Sequence, residues 1–244
     1  MRGALAGEVR KLVTIRSLRG TLAASGVVTV AIAVFVGLTG SLQPDDTVLG
    51  GALTGVAVAQ LLAGVLGALV MTSEHGSGTL AATVAAVPRR RVVLGAKAVV
   101  AAVTATAVGL VASGLALVVG TALIDGDHAP GEPFPALVGV ALSLGAVALF
   151  GLALGTLVRH PGGAVAAVIG VVLLPQLLGP LFGDLQPWVM GLSPATALQK
   201  MTQSSDASAD VAGTLGPWPS LLAVLGVALV LLALADRSLA RRDL

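Results

Sequence analysis

The chain contains no cysteine and few charged residues, and these two shortages exclude most classes of protein. Without cysteine there is neither a disulfide framework nor a thiolate metal site. Charged residues make up 11% of the 244, against about 25% in an ordinary soluble domain, which is too few to cover a soluble surface. Disorder is excluded because disordered chains are rich in charge and poor in Leu, Val and Ile. With 56% hydrophobic residues, the composition indicates an integral membrane protein.

Two further shortages exclude other partners and cofactors. Three histidines and scarce carboxylates argue against a dedicated metal centre. The net charge of only +2, on so apolar a chain, argues against nucleic acid as a partner.

Long stretches without charge indicate how many times the chain crosses the membrane. Six stretches between consecutive charged residues have 24–27 residues, and the next longest has 15. A spanning helix needs about 20 apolar residues, and a helix satisfies its own backbone hydrogen bonds in lipid. The sequence therefore predicts an all-α integral membrane protein, with a single transmembrane domain over residues 1–244. After trimming at loop signals, the predicted transmembrane helices are residues 18–38, 51–71, 98–124, 136–158, 164–182 and 219–235.

The distribution of Lys and Arg predicts how the chain is oriented. Thirteen of the 14 lie in the termini or in the loops of one side, and Lys200 is the exception. Eight acidic residues lie in the loops of the opposite side. Because loops rich in Lys and Arg stay in the cytoplasm, both termini are predicted to be cytoplasmic.

The first 17 residues are predicted to form an amphipathic interfacial helix. One arc of the helical wheel carries Leu5, Val9, Leu12 and Val13, and the opposite side carries Arg10 and Lys11. Such a helix lies flat on the inner leaflet, with its basic face near anionic headgroups. The alternative is a basic flank of the first span with chance periodicity.

The loop between the second and third spans contains a short predicted helix over residues 77–87. Ser77 is a favourable N-cap and Pro88 ends the helix. The apolar residues at helical spacing are Leu80, Val84 and Val87, and the basic residues that follow Pro88 are Arg89, Arg90 and Arg91. An apolar helix face in water needs a partner, and the alternative is that the helix folds back onto the bilayer.

Prolines divide the last third of the chain. The segment 184–218 is long for a loop and contains Pro187 and Pro194, which fits two short re-entrant or interfacial helices. Pro175 and Pro180 flank Gln176 in the fifth span and predict a kink there.

Small residues in the spans are candidates for contacts between helices. Two pairs of glycines four residues apart lie wholly within predicted spans, Gly51/Gly55 and Gly151/Gly155. The whole chain has four pairs of glycines at this spacing, which is the number that random placement of 32 glycines would give, so composition alone accounts for them.

The predicted spans lack the residues that several kinds of membrane protein require. Ion-coupled carriers place ionisable groups within their spans, and none is predicted there. A Ser–His pair at depth, an H-E-x-x-H helix and a phosphate-binding G-x-x-x-x-G-K-[ST] loop are also absent. The chain is therefore predicted to be no enzyme, and any energy from ATP must come from another polypeptide.

Two groups of residues resemble those of ABC-2 type transporter permeases. After the second span come Glu74, Gly78-Thr79, Pro88 with Arg89–Arg91, and Lys97. At the N-terminus, Glu8-Val-Arg-Lys-Leu12 followed by Ile15-Arg-Ser17 is similar to the entry helix of that family. The resemblance in topology covers the whole chain.

The resemblance implies the permease subunit of an ABC transporter, an exporter in a prokaryotic cell membrane. It would pair with a second permease subunit, as a homodimer or heterodimer, and bind ATPase subunits that hold ATP and Mg. The loop helix would be a coupling helix docked on the ATPase, and residues 184–218 would match re-entrant helices on the exit side. The coupling residues implied are Glu74, Ser77, Gly78, Thr79, Leu80, Val84, Val87, Pro88, Arg89, Arg90, Arg91 and Lys97.

Two other classes stay open at this point. One is a membrane scaffold or immunity-type protein that transports nothing, and the other is a secondary carrier. An ABC ATPase encoded beside this chain would favour the permease. No catalytic, cofactor-binding or metal-binding residue is predicted in any of the three cases.

Overall fold

Six long apolar helices form the body of the protein. The structure, a computed structural model, describes residues 2–77, 90–124, 127–205 and 207–241. In these ranges there is no strand, and six helices are long and apolar enough to cross a membrane. The prediction of an all-α chain with six such helices is confirmed.

The helices follow one another along the chain with short connections. Their bounds are α1 Arg2–Thr14, α2 Arg16–Thr39, α3 Val48–Leu53, α4 Val56–Ser77, α5 Arg90–Leu123, α6 Pro133–Val158, α7 Pro161–Leu178, a 3-10 helix Gly179–Leu185, α8 Gln186–Gly191, α9 Pro194–Met201, α10 Ala209–Ala212 and α11 Pro217–Arg241.

The ends of several spanning helices differ from the predicted spans. The second candidate span, Val48–Glu74, consists of α3 and α4, which meet at residues 54–55. Helix α7 ends three residues after Pro175 and continues as the 3-10 helix. The largest difference is in α5, which begins at Arg90 rather than Ala98. Lys97 therefore lies within α5, about 10 Å from its first residue at a rise of 1.5 Å per residue, rather than in the loop before the third span.

Helices α4 and α6 form the centre of the bundle. The most apolar window of α6 is 72% buried, whereas that of the peripheral α2 is 22% buried. The two central helices approach closely because glycines of each helix face the backbone of the other. A Cβ added at Gly67 would overlap the carbonyl oxygen of Ala148, and one added at Gly151 would overlap that of Gly64. Small residues thus allow contact between the two backbones, as in other membrane helix pairs.

Both glycine pairs singled out in the sequence lie at contacts between elements. Added Cβ atoms would meet Leu42 at Gly51, the backbone of Thr29 at Gly55, and the backbone of Ala68 at Gly155. Gly64 and Gly67, on the facing side of α4, complete the closest of these contacts.

The two ends of the bundle carry opposite charges. We call one end the basic end: it contains α1, the end of α4, the start of α5, the turn at Arg159 and the end of α11. We call the other the acidic end: it contains residues 40–47, 127–132, 179–192, 198–205 and 207–216, whereas the first turn of α9 lies deeper in the bundle. Hydrogen bonds join the segments of the acidic end, from Val48 N to Ala129 O (2.9 Å), from Glu132 N to Gln203 Oε1 (3.1 Å) and from Ser205 Oγ to Asp46 Oδ1 (2.7 Å).

Candidate functional site

Four charged side chains meet at the basic end, and we call them the charge cluster: Glu8, Lys11, Glu74 and Lys97. The ammonium of Lys97 donates to Glu74 Oε1 (2.6 Å), to Glu8 Oε2 (3.0 Å) and to the backbone carbonyl of Val70 (3.2 Å). The ammonium of Lys11 donates to Glu8 Oε1 (2.8 Å) and also to Glu74. Two carboxylates thus alternate with two ammonium groups, and their formal charges cancel.

Because the charge cluster is buried, its stability depends on the ion pairs and hydrogen bonds within it. Lys97 is 0% exposed, Glu74 3% and Glu8 5%. Transferring single ions from water to such a site is costly, and only well-placed opposite charges and hydrogen bonds compensate for that cost. Glu74 Oε2 is buried without a hydrogen-bond partner among the described residues, so one acceptor of the cluster is open.

Lys11 is the most exposed member of the cluster. Burial by itself would lower the pKa of Lys11, but its hydrogen bonds to Glu74 and Glu8, and their negative charges, outweigh burial and raise that pKa. Lys11 is therefore a stable cation at neutral pH.

The cluster fixes α1 against the bundle. Glu8, Lys11 and Leu12 lie on one side of α1, and Leu12 is buried in the main hydrophobic core with Leu5 packed against it. Val9 and Val13 are 50% and 62% exposed, and Arg10 is exposed as well. The predicted apolar arc is therefore divided, with one half on the protein and the other half facing outward.

The structure brings some of the predicted coupling residues together. Glu74 and Lys97 are paired in the cluster, although they are 23 residues apart in sequence. Arg91 is 79% exposed in its side chain and pairs with Asp236 of α11 at 3.1 Å. Ser77 is the last residue of α4 and Arg90 the first of α5. The remaining predicted coupling residues lie outside the described residues: Gly78, Thr79, Leu80, Val84, Val87, Pro88 and Arg89.

Two glutamines hold the short helix α9, which runs from within the bundle toward the acidic end. Gln60 Nε2 of α4 donates to the carbonyl of Pro194 (2.9 Å), the first residue of α9, and to Ser143 Oγ of α6 (3.2 Å). Gln176 Nε2 of α7 donates to Gln199 Oε1 in the last turn of α9 (3.2 Å). Gln60 and Gln176, which belong to two different long helices, thus both bind one helix of the segment 184–218.

Lys200, the exception to the charge distribution, has a structural role. It is 8% exposed, and its ammonium donates to the carbonyls of Ala212 (2.9 Å), Gly213 (3.2 Å) and Leu215 (2.7 Å). Burial lowers the pKa of Lys200. Its contacts tie α9 to the chain that leads into α11, so this cation is enclosed by the protein.

Sequence reasoning missed the membership of Glu8 in the cluster and the pairing of Asp236. A signal was present, because only four of the 12 acids lie outside the loops of the acidic end: Glu8, Glu74, Asp236 and Asp243. Three of these four pair with Lys or Arg in the structure. An acidic residue in a segment rich in Lys and Arg was therefore a signal for an ion pair.

Comparisons with known proteins leave the family of this chain unassigned. Neither a scan against protein-family models nor a search of curated proteins found a match. The resemblance to ABC-2 permeases therefore rests on the residues quoted for it, and the geometry of the charge cluster carries the functional argument.

Proposed function

We propose that the chain is the permease subunit of an ABC transporter, an exporter driven by a separate ATPase subunit. The observation that carries the proposal is the charge cluster. It joins α1, α4 and α5 beside the two ends of the segment 78–89, which is the segment that the resemblance assigns to ATPase coupling.

The ion pairs of the cluster connect α1, α4 and α5, so that these three helices move together. Glu74 lies three residues before the end of α4, and Lys97 lies seven residues after the start of α5. A force applied to the segment between them reaches both helices through the Glu74–Lys97 pair and reaches α1 through Glu8. Because packed elements move as discrete units, docking of a partner at this segment would shift α1, α4 and α5 together.

The charge distribution supports an orientation with the basic end in the cytoplasm. In that orientation α1 lies at the inner leaflet, with Val9 and Val13 toward lipid and Arg10 near anionic headgroups. The exposed and buried halves of α1 fit a helix that lies between the bilayer surface and the bundle.

The contacts of α9 support a re-entrant segment 184–218. Gln60 is the thirteenth residue of the 27-residue span Val48–Glu74, and Ser143 is the eleventh residue of the 26-residue α6. Pro194 contacts Gln60 and therefore lies near the middle of these spans rather than at their ends. Irregular backbone at such depth is tolerated where it is buried in protein, and Pro194 is buried.

Cysteine labelling tests the orientation on this cysteine-free background. A membrane-impermeant thiol reagent applied outside should label Asp45→Cys and Asp127→Cys, which replace exposed residues at the acidic end. The same reagent should label Ser77→Cys and Arg237→Cys only after the membrane is permeabilised. Labelling of Ser77→Cys in intact cells would overturn the orientation.

Binding to an ATPase tests the function itself. The permease, with a candidate ABC ATPase encoded beside it, should co-purify with that ATPase and change its rate of ATP hydrolysis. Val84→Asp places a carboxylate on the apolar face of the predicted helix 77–87, which costs several kcal/mol in an apolar groove. We expect this variant to insert in the membrane but to lose ATPase binding.

The matched control is Ala82→Asp, which places the same carboxylate on the opposite face of that predicted helix. It should retain binding. Wild-type binding and stimulation by Val84→Asp would refute the coupling role of the segment. A chain that binds no ATPase would favour the scaffold, and transport that stops when ion gradients are collapsed with ATP present would favour the carrier.

A further inference from the structure

A cavity of about 480 Å³ opens at the acidic end, between α2, α3 and α9. Its volume is within the range of about 300–1,000 Å³ that is typical of small-molecule sites. The cavity is separate from the charge cluster, since none of the four cluster residues lines it.

The lining of the cavity changes from apolar to polar along its depth. Ile32 and Ala57 line the deeper part, and Ile32 lies about 10 Å below the end of α2, at 1.5 Å per residue. Gln43, Asp46 and Ser205 belong to the connecting segments and line the part nearest the acidic end. A molecule that matches this gradient has an apolar body and a polar group that points outward.

The charged group of the cavity is Asp46. Its carboxylate accepts one hydrogen bond at each oxygen, from Ser205 Oγ (2.7 Å) and from the backbone N–H of Gln43 (3.0 Å). Each oxygen keeps further acceptor capacity. No Lys or Arg of the described residues forms an ion pair with Asp46, and the nearby ring of His128 contacts its backbone carbonyl.

The surroundings of Asp46 favour a positively charged ligand. Asp45, Asp127 and Glu132 are exposed at the same end of the bundle. The one Lys or Arg of the loops at this end is Lys200, which is enclosed and bound to backbone carbonyls. The summed field at the mouth of the cavity is therefore negative and attracts cations.

We propose that this cavity binds a small amphiphilic cation, with its apolar body against α2 and α4 and its amine at Asp46. The proposal is independent of transport, because it concerns binding to the permease chain by itself. If the cavity binds no cation, the proposed permease function is unaffected. If the chain is not a permease, the proposed cation binding is likewise unaffected.

Binding of a matched set of compact ligands to the full-length purified chain tests the proposal. The probes are 1-adamantylamine, 1-adamantanol and 1-adamantanecarboxylate, which share one apolar body and differ in charge. Isothermal titration should rank their affinities as amine, then alcohol, then carboxylate. Equal affinities, or tighter binding of the carboxylate, would refute the proposal.

Two variants locate the site. Asp46→Asn removes the charge at nearly constant shape and should weaken amine binding about five-fold, the effect of losing one partly exposed ion pair, while leaving binding of the alcohol unchanged. The control Asp45→Asn removes a neighbouring acid that does not line the cavity and should change amine affinity less than about two-fold. Equal effects of the two variants would assign the attraction to the general field rather than to the cavity.

A third variant tests whether the ligand occupies the cavity. Thr54 lines the cavity and is exposed, so Thr54→Phe should fold normally, fill the apolar part and abolish binding of both amine and alcohol. Unchanged binding by Thr54→Phe would place the ligand elsewhere. Loss of amine binding in nanodiscs of phosphatidylethanolamine, but not of phosphatidylcholine, would assign the cavity to a lipid headgroup and overturn the proposal as well.

Discussion

Replacing Lys97 with methionine is expected to lower the free energy of unfolding by about 3–5 kcal/mol, because the change leaves buried carboxylates without their main partner. Methionine retains most of the length of the side chain, so the loss is mainly of charge and hydrogen bonds. For a chain of this size the melting temperature should fall by roughly 6–20 °C. Thermal unfolding of the purified, detergent-solubilised protein measures the effect.

The matched control lies on the same helix. Arg91→Met removes a cation whose side chain is 79% exposed and whose ion pair with Asp236 is at the surface. Exposed pairs contribute about 0–1 kcal/mol, so this variant should melt within a few degrees of the wild type. A Lys97→Met protein as stable as Arg91→Met would contradict the buried cluster.

Removing the three buried charges of the cluster, while keeping the partly exposed Lys11, separates the stabilising role of the cluster from its proposed coupling role. Glu8→Gln, Glu74→Gln and Lys97→Met together remove both buried carboxylates along with their partner. Replacing a buried ion pair or triad with uncharged side chains is often neutral for stability, so much of the loss seen in Lys97→Met should be recovered. If the cluster transmits movement to α1, the triple variant should still be defective in ATPase stimulation.

Placing one methyl group between α4 and α6 should have an effect of similar size. The added Cβ of Gly67→Ala would overlap the backbone oxygen of Ala148, and a backbone atom cannot move aside as a flexible side chain can. Overpacking of this kind typically costs about 1–3 kcal/mol, and more where both partners are backbone. We expect a lower melting temperature and a lower yield of folded protein from the membrane.

Gly114→Ala in α5 is the control, since no atom lies within 4 Å of the added Cβ. Alanine is favoured over glycine inside a helix by about 0.5–1 kcal/mol, so this variant should be as stable as the wild type or slightly more stable. Equal melting temperatures for Gly67→Ala and Gly114→Ala would contradict the close approach of α4 and α6.

The sequence was sufficient for the number of spans because hydropathy and charge are local properties. The same rule misplaced the start of α5, since it cut every span at a charged residue and therefore excluded Lys97. Helix length is set by packing as well as by hydropathy, and a buried ion pair allows a charged residue to lie inside a long apolar helix.

The contacts that define the site depend on distant parts of the chain. Lys11 and Glu74 are 63 residues apart, and no periodicity of the sequence relates them. The contact face between α4 and α6 was only half visible, because the search for glycines four residues apart found Gly151 and Gly155 but missed Gly64 and Gly67, which are three apart. The side chains that complete a contact become evident only when the partner helix is known.

The span of 89 residues between Glu8 and Lys97 also sets an order of events during synthesis. At about 5–20 residues per second, Lys97 is made roughly 5–20 s after Glu8. During that interval the N-terminal helix has Lys11 as the one cluster cation already made. The residue that neutralises the cluster is thus the last of the four to be synthesised, and α1 is made before the bundle that later holds it has been completed.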